Sequence, residues 1–104
     1  MKHFLIKYRS AEGSEAAWRE RVERFIAAIE ADPDLMGRVG YRCMKADNGS
    51  GEYYHLASTT DDGASKALHS REFFKLYTAE TKRVSGGTVE VVPLAIIAET
   101  STRA

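Results

Sequence analysis

The most constraining feature of this chain is one amphipathic helix held between two β-type segments. Trp18, Val22, Phe25, Ile26 and Ile29 fall at spacings of four, three, one and three, an apolar stripe of helical period. Ser14 stands where an N-cap is wanted and Glu15 sits in the first turn, facing the positive end of the helix dipole. Arg19, Glu20, Arg21, Glu23 and Arg24 occupy the solvated faces. Asp32-Pro33 stops the helix, because a residue before proline is pushed out of helical geometry. Ahead of it, residues 3 to 9 are aromatic and branched and read as a strand that starts almost at the first residue.

The rest of the chain supplies the partners of that helix. Residues 38 to 46 read as a second strand, Asp47-Asn48-Gly49-Ser50-Gly51 as a hairpin-type connection, and Tyr53 to Thr59 as a third strand. Residues 61 to 83 read as a second helical region with a break near Ser70, where the serine caps a new segment containing Glu72, Phe73, Phe74, Leu76 and Tyr77. Gly86-Gly87 ends it. Val89 to Ala98 is apolar nearly throughout and predicts a long last strand buried on both faces, with Pro93 forcing an edge or a bulge. The order β-α-β-β-α-β is the split βαβ, ferredoxin-like α+β arrangement, an antiparallel four-stranded sheet with its helices on one face.

All 104 residues fit one domain of this kind. A chain this size buries roughly 65% of its unfolded surface, enough for one core without metal or disulfide staples. The helices cover one face, and strand one carries Phe4, Ile6 and Tyr8 on one side and Leu5 on the other, so the open face calls for a second copy. Fifteen basic residues balance fifteen acidic ones, which leaves self-association unopposed by charge and gives no footprint for nucleic acid or an anionic membrane. No apolar run approaches the roughly 20 residues of a membrane span, and no signal peptide precedes the first strand. A single cysteine, Cys43, forms no internal disulfide and reads as a small buried hydrophobe with no base beside it; a reducing cytoplasm is the expected location.

Several segments together resemble the dimeric α+β barrel superfamily, and within it the antibiotic biosynthesis monooxygenases. They are the opening strand, the long helix with Trp18, the strand Gly51-Glu52-Tyr53-Tyr54-His55-Leu56-Ala57-Ser58-Thr59, and the segment Ala67-Leu68-His69-Ser70-Arg71-Glu72-Phe73-Phe74-Lys75. The resemblance covers nearly the whole chain. It implies a homodimer and spans several chemistries: cofactor-free oxygenation of polyphenols or quinols, haem degradation, and members with no known activity. Thr59 and Leu68 stand where many relatives carry a Trp and a His, and His69 one residue later is rotated by about 100° on a helix. The haem-degrading pattern of a strand-one Asn, a helix Trp and a later His is absent, with Leu68 and Thr78 in the last two places.

Chemistry then rests on few residues. His55, in mid-strand, is either a base toward a phenolic hydroxyl or a structural histidine bonded to a neighbouring strand or to the dimer mate. Tyr53 and Tyr77 are the candidate hydrogen-bond donors beside it. Trp18, Phe25, His69, Phe73 and Phe74 are candidate walls of a cleft for a planar aromatic molecule, and the aromatics among them are equally consistent with plain core. Lys7 and Arg42, if they point inward, can stabilise a phenolate oxygen; His3 reads as a strand-edge residue. No glycine-rich phosphate loop and no metal-ligand spacing of His3, His55 and His69 is present, so neither a nucleotide cofactor nor a metal is expected. Two functions follow: a cofactor-independent monooxygenase acting on a small phenolic or quinol-type compound, or a non-enzymatic dimeric small-molecule-binding or regulatory module. A cavity of roughly 300 Å³ or more reached by His55 would favour the first.

Overall fold

A computed structural model describes residues 1–10 and 13–101. The elements run β1 (Lys2–Arg9), α1 (Glu15–Ala31), β2 (Val39–Lys45), β3 (Glu52–Thr59), α2 (Asp62–Ser70), α3 (Glu72–Val84) and β4 (Glu90–Leu94). The strands form one antiparallel sheet in the order β2-β3-β1-β4. This is the ferredoxin-like α+β architecture expected from the sequence.

Helix α1 forms where the stripe predicts. The Ser14 hydroxyl accepts the Ala17 N–H at 3.1 Å, and Asp32 leaves the helix in extended conformation before Pro33. Trp18, Val22, Phe25 and Ile29 are its buried residues, with Phe25 only 1% exposed. Burying a side chain of that size is worth roughly 1.5–3 kcal/mol. The stripe packs on the sheet face that carries Tyr8, Tyr41, Cys43 and Tyr53, with Leu68, Tyr77 and Val84 from α2 and α3 joining the same core.

The second helical region is two helices, as the break predicts, but the capping is different. Ser70 closes α2, its hydroxyl donating back to the Ala67 carbonyl, and Arg71 takes the N-cap position of α3 without a side-chain cap. Arg71 instead reaches the end of α1, donating to Asp32 at 2.7 Å and to Asp34 at 2.8 Å. Gly86 and Gly87, at φ of +61° and +84°, turn the chain out of α3 in a conformation that side chains disfavour.

The last strand departs from expectation. It ends at Leu94, and Val91, Leu94, Ile96 and Ile97 are exposed rather than buried on both faces. Its apolarity runs on to Ala98, but the ladder with β1 closes at the His3–Leu94 pair, with only Lys2 of β1 beyond it. The edge anticipated from Pro93 is present, since β4 pairs with β1 alone. His3 is not a strand-edge residue: β1 is internal, and Nδ1 of His3 lies 2.8 Å from the Ser58 hydroxyl on the neighbouring strand.

Candidate functional site

Three adjacent strands deliver polar and aromatic side chains to the helix-facing side at matched positions. Cys43 on β2 lies opposite His55 on β3, and Tyr8 on β1 lies opposite Tyr53. Tyr41, two residues before Cys43, shares that face. Trp18 and Phe25 descend from α1 and Tyr77 from α3.

The side chains close into one hydrogen-bonded network around His55, which has no exposed surface. The Trp18 indole N–H donates to the Tyr8 hydroxyl at 2.6 Å, and that hydroxyl lies 2.8 Å from Nε2 of His55. On the other side of the imidazole, Nδ1 bonds the Tyr41 hydroxyl and lies 3.3 Å from that of Tyr77, with the two hydroxyls 3.1 Å apart. The Cys43 sulfur is 3.2 Å from Nε2. Tautomer and direction are assigned from this pattern. A Tyr8 oxygen that already accepts from Trp18 uses its own proton toward Nε2, so Nδ1 carries the imidazole proton and gives it to Tyr41, whose hydroxyl donates to Tyr77. The run Trp18, Tyr8, His55, Tyr41, Tyr77 is then a directed chain of donors.

Burial keeps this network uncharged. Desolvation pushes His55 down to about 4 and the Cys43 thiol up to about 11. The same cause raises Tyr8, Tyr41 and Tyr77 well above the ordinary phenol range. At neutral pH the cluster is a neutral imidazole, a thiol and three phenols. Ring contacts lock it: Tyr77 stacks on Phe25 with centroids 3.8 Å apart and on Trp18 at 5.7 Å, and Tyr8 stacks on Tyr53 at 5.4 Å.

Beside the network lies a half-open cavity of about 350 Å³ between α1 and the outer strand β2. Trp18, Val22, Ile26, Cys43 and Tyr53 line it, and the exposed ion pair of Lys45 with Glu15, at 2.9 Å, borders it. His55 is not on its wall, so the cavity has the volume expected of an oxygenase pocket but is not reached by His55 as that reading required. Cys43 lines the cavity and touches Nε2, so the thiol is the contact between the cavity and His55.

The residues singled out in the sequence divide accordingly. His55, Tyr77, Trp18 and Phe25 come together in one cluster. Tyr53 joins through its ring, and its hydroxyl makes no hydrogen bond to the described residues. Phe73 and Phe74 are half-buried, packing on Phe25 at 5.9 and 6.3 Å. His69 stays outside, exposed on α2 and leaning on Phe74 at 4.9 Å. Lys7 and Arg42 lie on the face away from the helices, Lys7 paired with Glu90 at 3.1 Å, so neither reaches the network. Cys43 does have a base beside it, contrary to expectation; the neighbour comes from the next strand rather than from nearby sequence. Tyr8 and Tyr41 were not anticipated. Counting back from the Asp47–Gly51 connection was the available signal, because pairing Ala46 with Glu52 places Cys43 against His55 and Tyr41 two positions on.

No family model matches this chain, and no curated protein matches it in sequence. Solved structures do. SnoaB, a cofactor-independent oxygenase from Streptomyces nogalater, is 16% identical with a TM-score of 0.73, over 97% of this chain and 98% of that one. Rv0793 from Mycobacterium tuberculosis is 16% identical with a TM-score of 0.74, covering 96% and 98%. A third structure, an antibiotic biosynthesis monooxygenase, is 10% identical with a TM-score of 0.74, covering 94% and 100%. The chain thus has the ferredoxin-like α+β fold of the antibiotic biosynthesis monooxygenase structures along nearly its whole length, in agreement with the resemblance read from its sequence.

Proposed function

We propose that the cavity between α1 and β2 takes a small flat aromatic compound of phenol or quinol type, and that the chain oxygenates it without a cofactor. The observation that carries this reading is that three cavity-lining residues, Trp18, Tyr53 and Cys43, each touch the His55 network. An aromatic face stacks on Trp18 and Tyr53, and the Tyr53 hydroxyl, which bonds nothing else described, is free to donate to a substrate oxygen. A substrate carbon made acidic by a neighbouring phenol gives up a proton, and its electrons then reduce dioxygen; one oxygen atom stays on the substrate and the other leaves as water. The chain has to exclude water, hold the oxyanion and take the proton. Cys43 takes that proton as it passes its own S–H proton to Nε2 of His55 in place of the Tyr8 hydroxyl, the pair returns it to the departing water, and Tyr77, near Nδ1, positions the imidazole. The shared fold with SnoaB, a cofactor-independent oxygenase, supports this reading.

A second reading rests on one observation: His55 is fully buried off the cavity wall, and the interior is filled by the chain's own aromatics. That favours a dimeric small-molecule-binding or regulatory module. Oxygen uptake with anthrone and quinol substrates, run beside a titration of the single tryptophan's fluorescence, separates the two. Uptake that falls in Tyr53→Phe and His55→Gln supports the oxygenase. Binding without uptake supports the module, and neither signal removes both.

We also propose that a second copy covers the open sheet face, where Leu5, Leu56, Val92 and Leu94 stand on the side away from the helices. Among the described residues no helix is long and apolar enough to cross a membrane. The free Cys43 fits a reducing cytoplasm.

A further inference from the structure

Tyr8 holds a position that its packing role does not require. Its hydroxyl is buried, donates to Nε2 of His55 at 2.8 Å and accepts the Trp18 N–H at 2.6 Å. Its ring stacks on Tyr53 at 5.4 Å and meets Trp18 edge-on at 6.3 Å, and both of those residues line the cavity. One phenol therefore has a proton acceptor on its inner side and two aromatic contacts leading to the cavity.

That combination has a chemical meaning. A phenol resists one-electron oxidation while it keeps its proton, because the radical cation it would form is a far stronger acid than any imidazolium. When the phenol is hydrogen-bonded to a neutral imidazole, the electron and the proton leave together and the costly intermediate is bypassed. We infer that Tyr8 is a redox-active tyrosine that gives one electron, by way of Trp18 or Tyr53, to a one-electron oxidant at the cavity, while its proton passes to His55.

The step balances. The Tyr8 O–H bond breaks, an N–H bond forms at Nε2, and the oxidant, an aryl radical or a metal-complex oxidant, is reduced by one electron. The product is a neutral tyrosyl radical whose oxygen still accepts the Trp18 N–H. The charge gained by the imidazole is shared through Nδ1–H to Tyr41 and onward to Tyr77. Tyr41 also bonds the imidazole, but it accepts the Nδ1 proton and so has no base for its own. The inference stands apart from the oxygenase reading, because the oxidant can come from solution with no substrate bound.

Flash-quench oxidation with tris(bipyridine)ruthenium(III) tests it on the full chain, in the wild type and in Cys43→Ser, which removes a competing thiyl route. Transient absorption and freeze-quenched electron paramagnetic resonance should detect a tyrosyl radical that forms more slowly in deuterium oxide. It should outlive by about tenfold or more the short-lived signal left in Tyr8→Phe, since burial and the Trp18 bond protect it. His55→Gln should shorten the radical to the Tyr8→Phe level. Because either variant can loosen the core, 3-fluorotyrosine placed at position 8 gives a second readout that keeps the hydroxyl: the long-lived radical should acquire fluorine hyperfine splitting. A Tyr8→Phe signal equal to wild type in yield and lifetime, or no fluorine splitting, would overturn the assignment.

Discussion

The Cys43 sulfur lies 3.2 Å from Nε2 of His55, the residue it faces across the β2–β3 ladder. The pair has the composition of a nucleophile and its base, yet burial works against that use. The thiol is pushed up to about 11 and the imidazole down to about 4, so the stable form is thiol with neutral imidazole. A thiolate is the reactive species. Labelling by an Ellman-type disulfide reagent at pH 7–8 should therefore be far slower in the folded chain than in denaturant. It should climb by about tenfold per pH unit toward the alkaline end. Folded-state labelling as fast at neutral pH as that of a free thiol would show an ion pair instead.

His55 also ties stability to pH. Its folded pKa, about 4, lies below the unfolded value near 6.5, so between those limits the unfolded chain binds more protons than the folded one. Stability is then greatest above the unfolded value, falls as pH drops through the window, and levels off below about 4 as far as this group is concerned. The full shift corresponds to roughly 3 kcal/mol. Urea unfolding across pH 4 to 7 should trace that slope, and His55→Gln should flatten it. An unchanged slope in the variant would assign the acid sensitivity to other groups.

Much of this arrangement was open to reading in the chain itself, and its limits have physical causes. The α1 stripe was legible because helical period and caps are local, and of its five residues Trp18, Val22, Phe25 and Ile29 are buried while Ile26 is half-buried. The ferredoxin-like class followed from the number and sequence of elements, and the sheet order β2-β3-β1-β4 came from the structure. What sets the site is cross-strand register, which no single segment states: Tyr8, Tyr41 and Cys43 meet His55 from three strands and only a count through the hairpin places them. The end of β4 was illegible for a different reason. Apolarity runs on through Ala98, while pairing stops at Leu94, opposite His3, with one residue of β1 left beyond that pair. Direction along a strand is also invisible to composition, which is why Lys7 and Arg42 stayed ambiguous until the register put them on the far face.

Two tyrosines that stack on each other should respond differently to loss of a hydroxyl. In Tyr8→Phe the Trp18 N–H and His55 Nε2 both lose their shared partner in a buried site, at a cost of about 1–3 kcal/mol. Tyr53→Phe removes a hydroxyl with no described partner, and the expected change is about 0.5 kcal/mol or less. Chemical denaturation of the two variants checks the order. Equal losses would mean that the Tyr8 bonds contribute nothing net.

Arg71 joins the α2–α3 junction to the end of α1 by contacting Asp32 and Asp34 at once. The Arg71 guanidinium and the Asp34 N–H hold the Asp32 carboxyl below its usual range, so the folded pKa lies under the unfolded one. The stabilisation this gives is present above the unfolded carboxylate pKa and disappears as pH falls through the folded value. Arg71→Ala should thus lower the melting temperature at neutral pH and lose less at strongly acid pH. Arg71→Lys should not restore it, because an ammonium cannot bridge two carboxylates in fixed geometry. Full recovery by lysine would reduce the clamp to a simple charge effect.

Leu5 and Leu56 are direct partners across the β1–β3 ladder, near the middle of the face that no helix covers. Lys7 and Glu90 pair beside them and Arg42 stands opposite Leu56, so an apolar centre carries polar groups at its margin. If a second copy covers this face, Leu56→Glu places a carboxylate in the buried centre of each copy, where an unpaired charge costs several kcal/mol, about enough to dissociate a dimer of ordinary affinity. The same substitution leaves the helix-facing core untouched. Sedimentation velocity at micromolar concentration should therefore find a dimer for wild type and a monomer for Leu56→Glu, with unchanged far-ultraviolet circular dichroism. A wild-type monomer, or a variant that still dimerises, would place the self-association elsewhere or remove it.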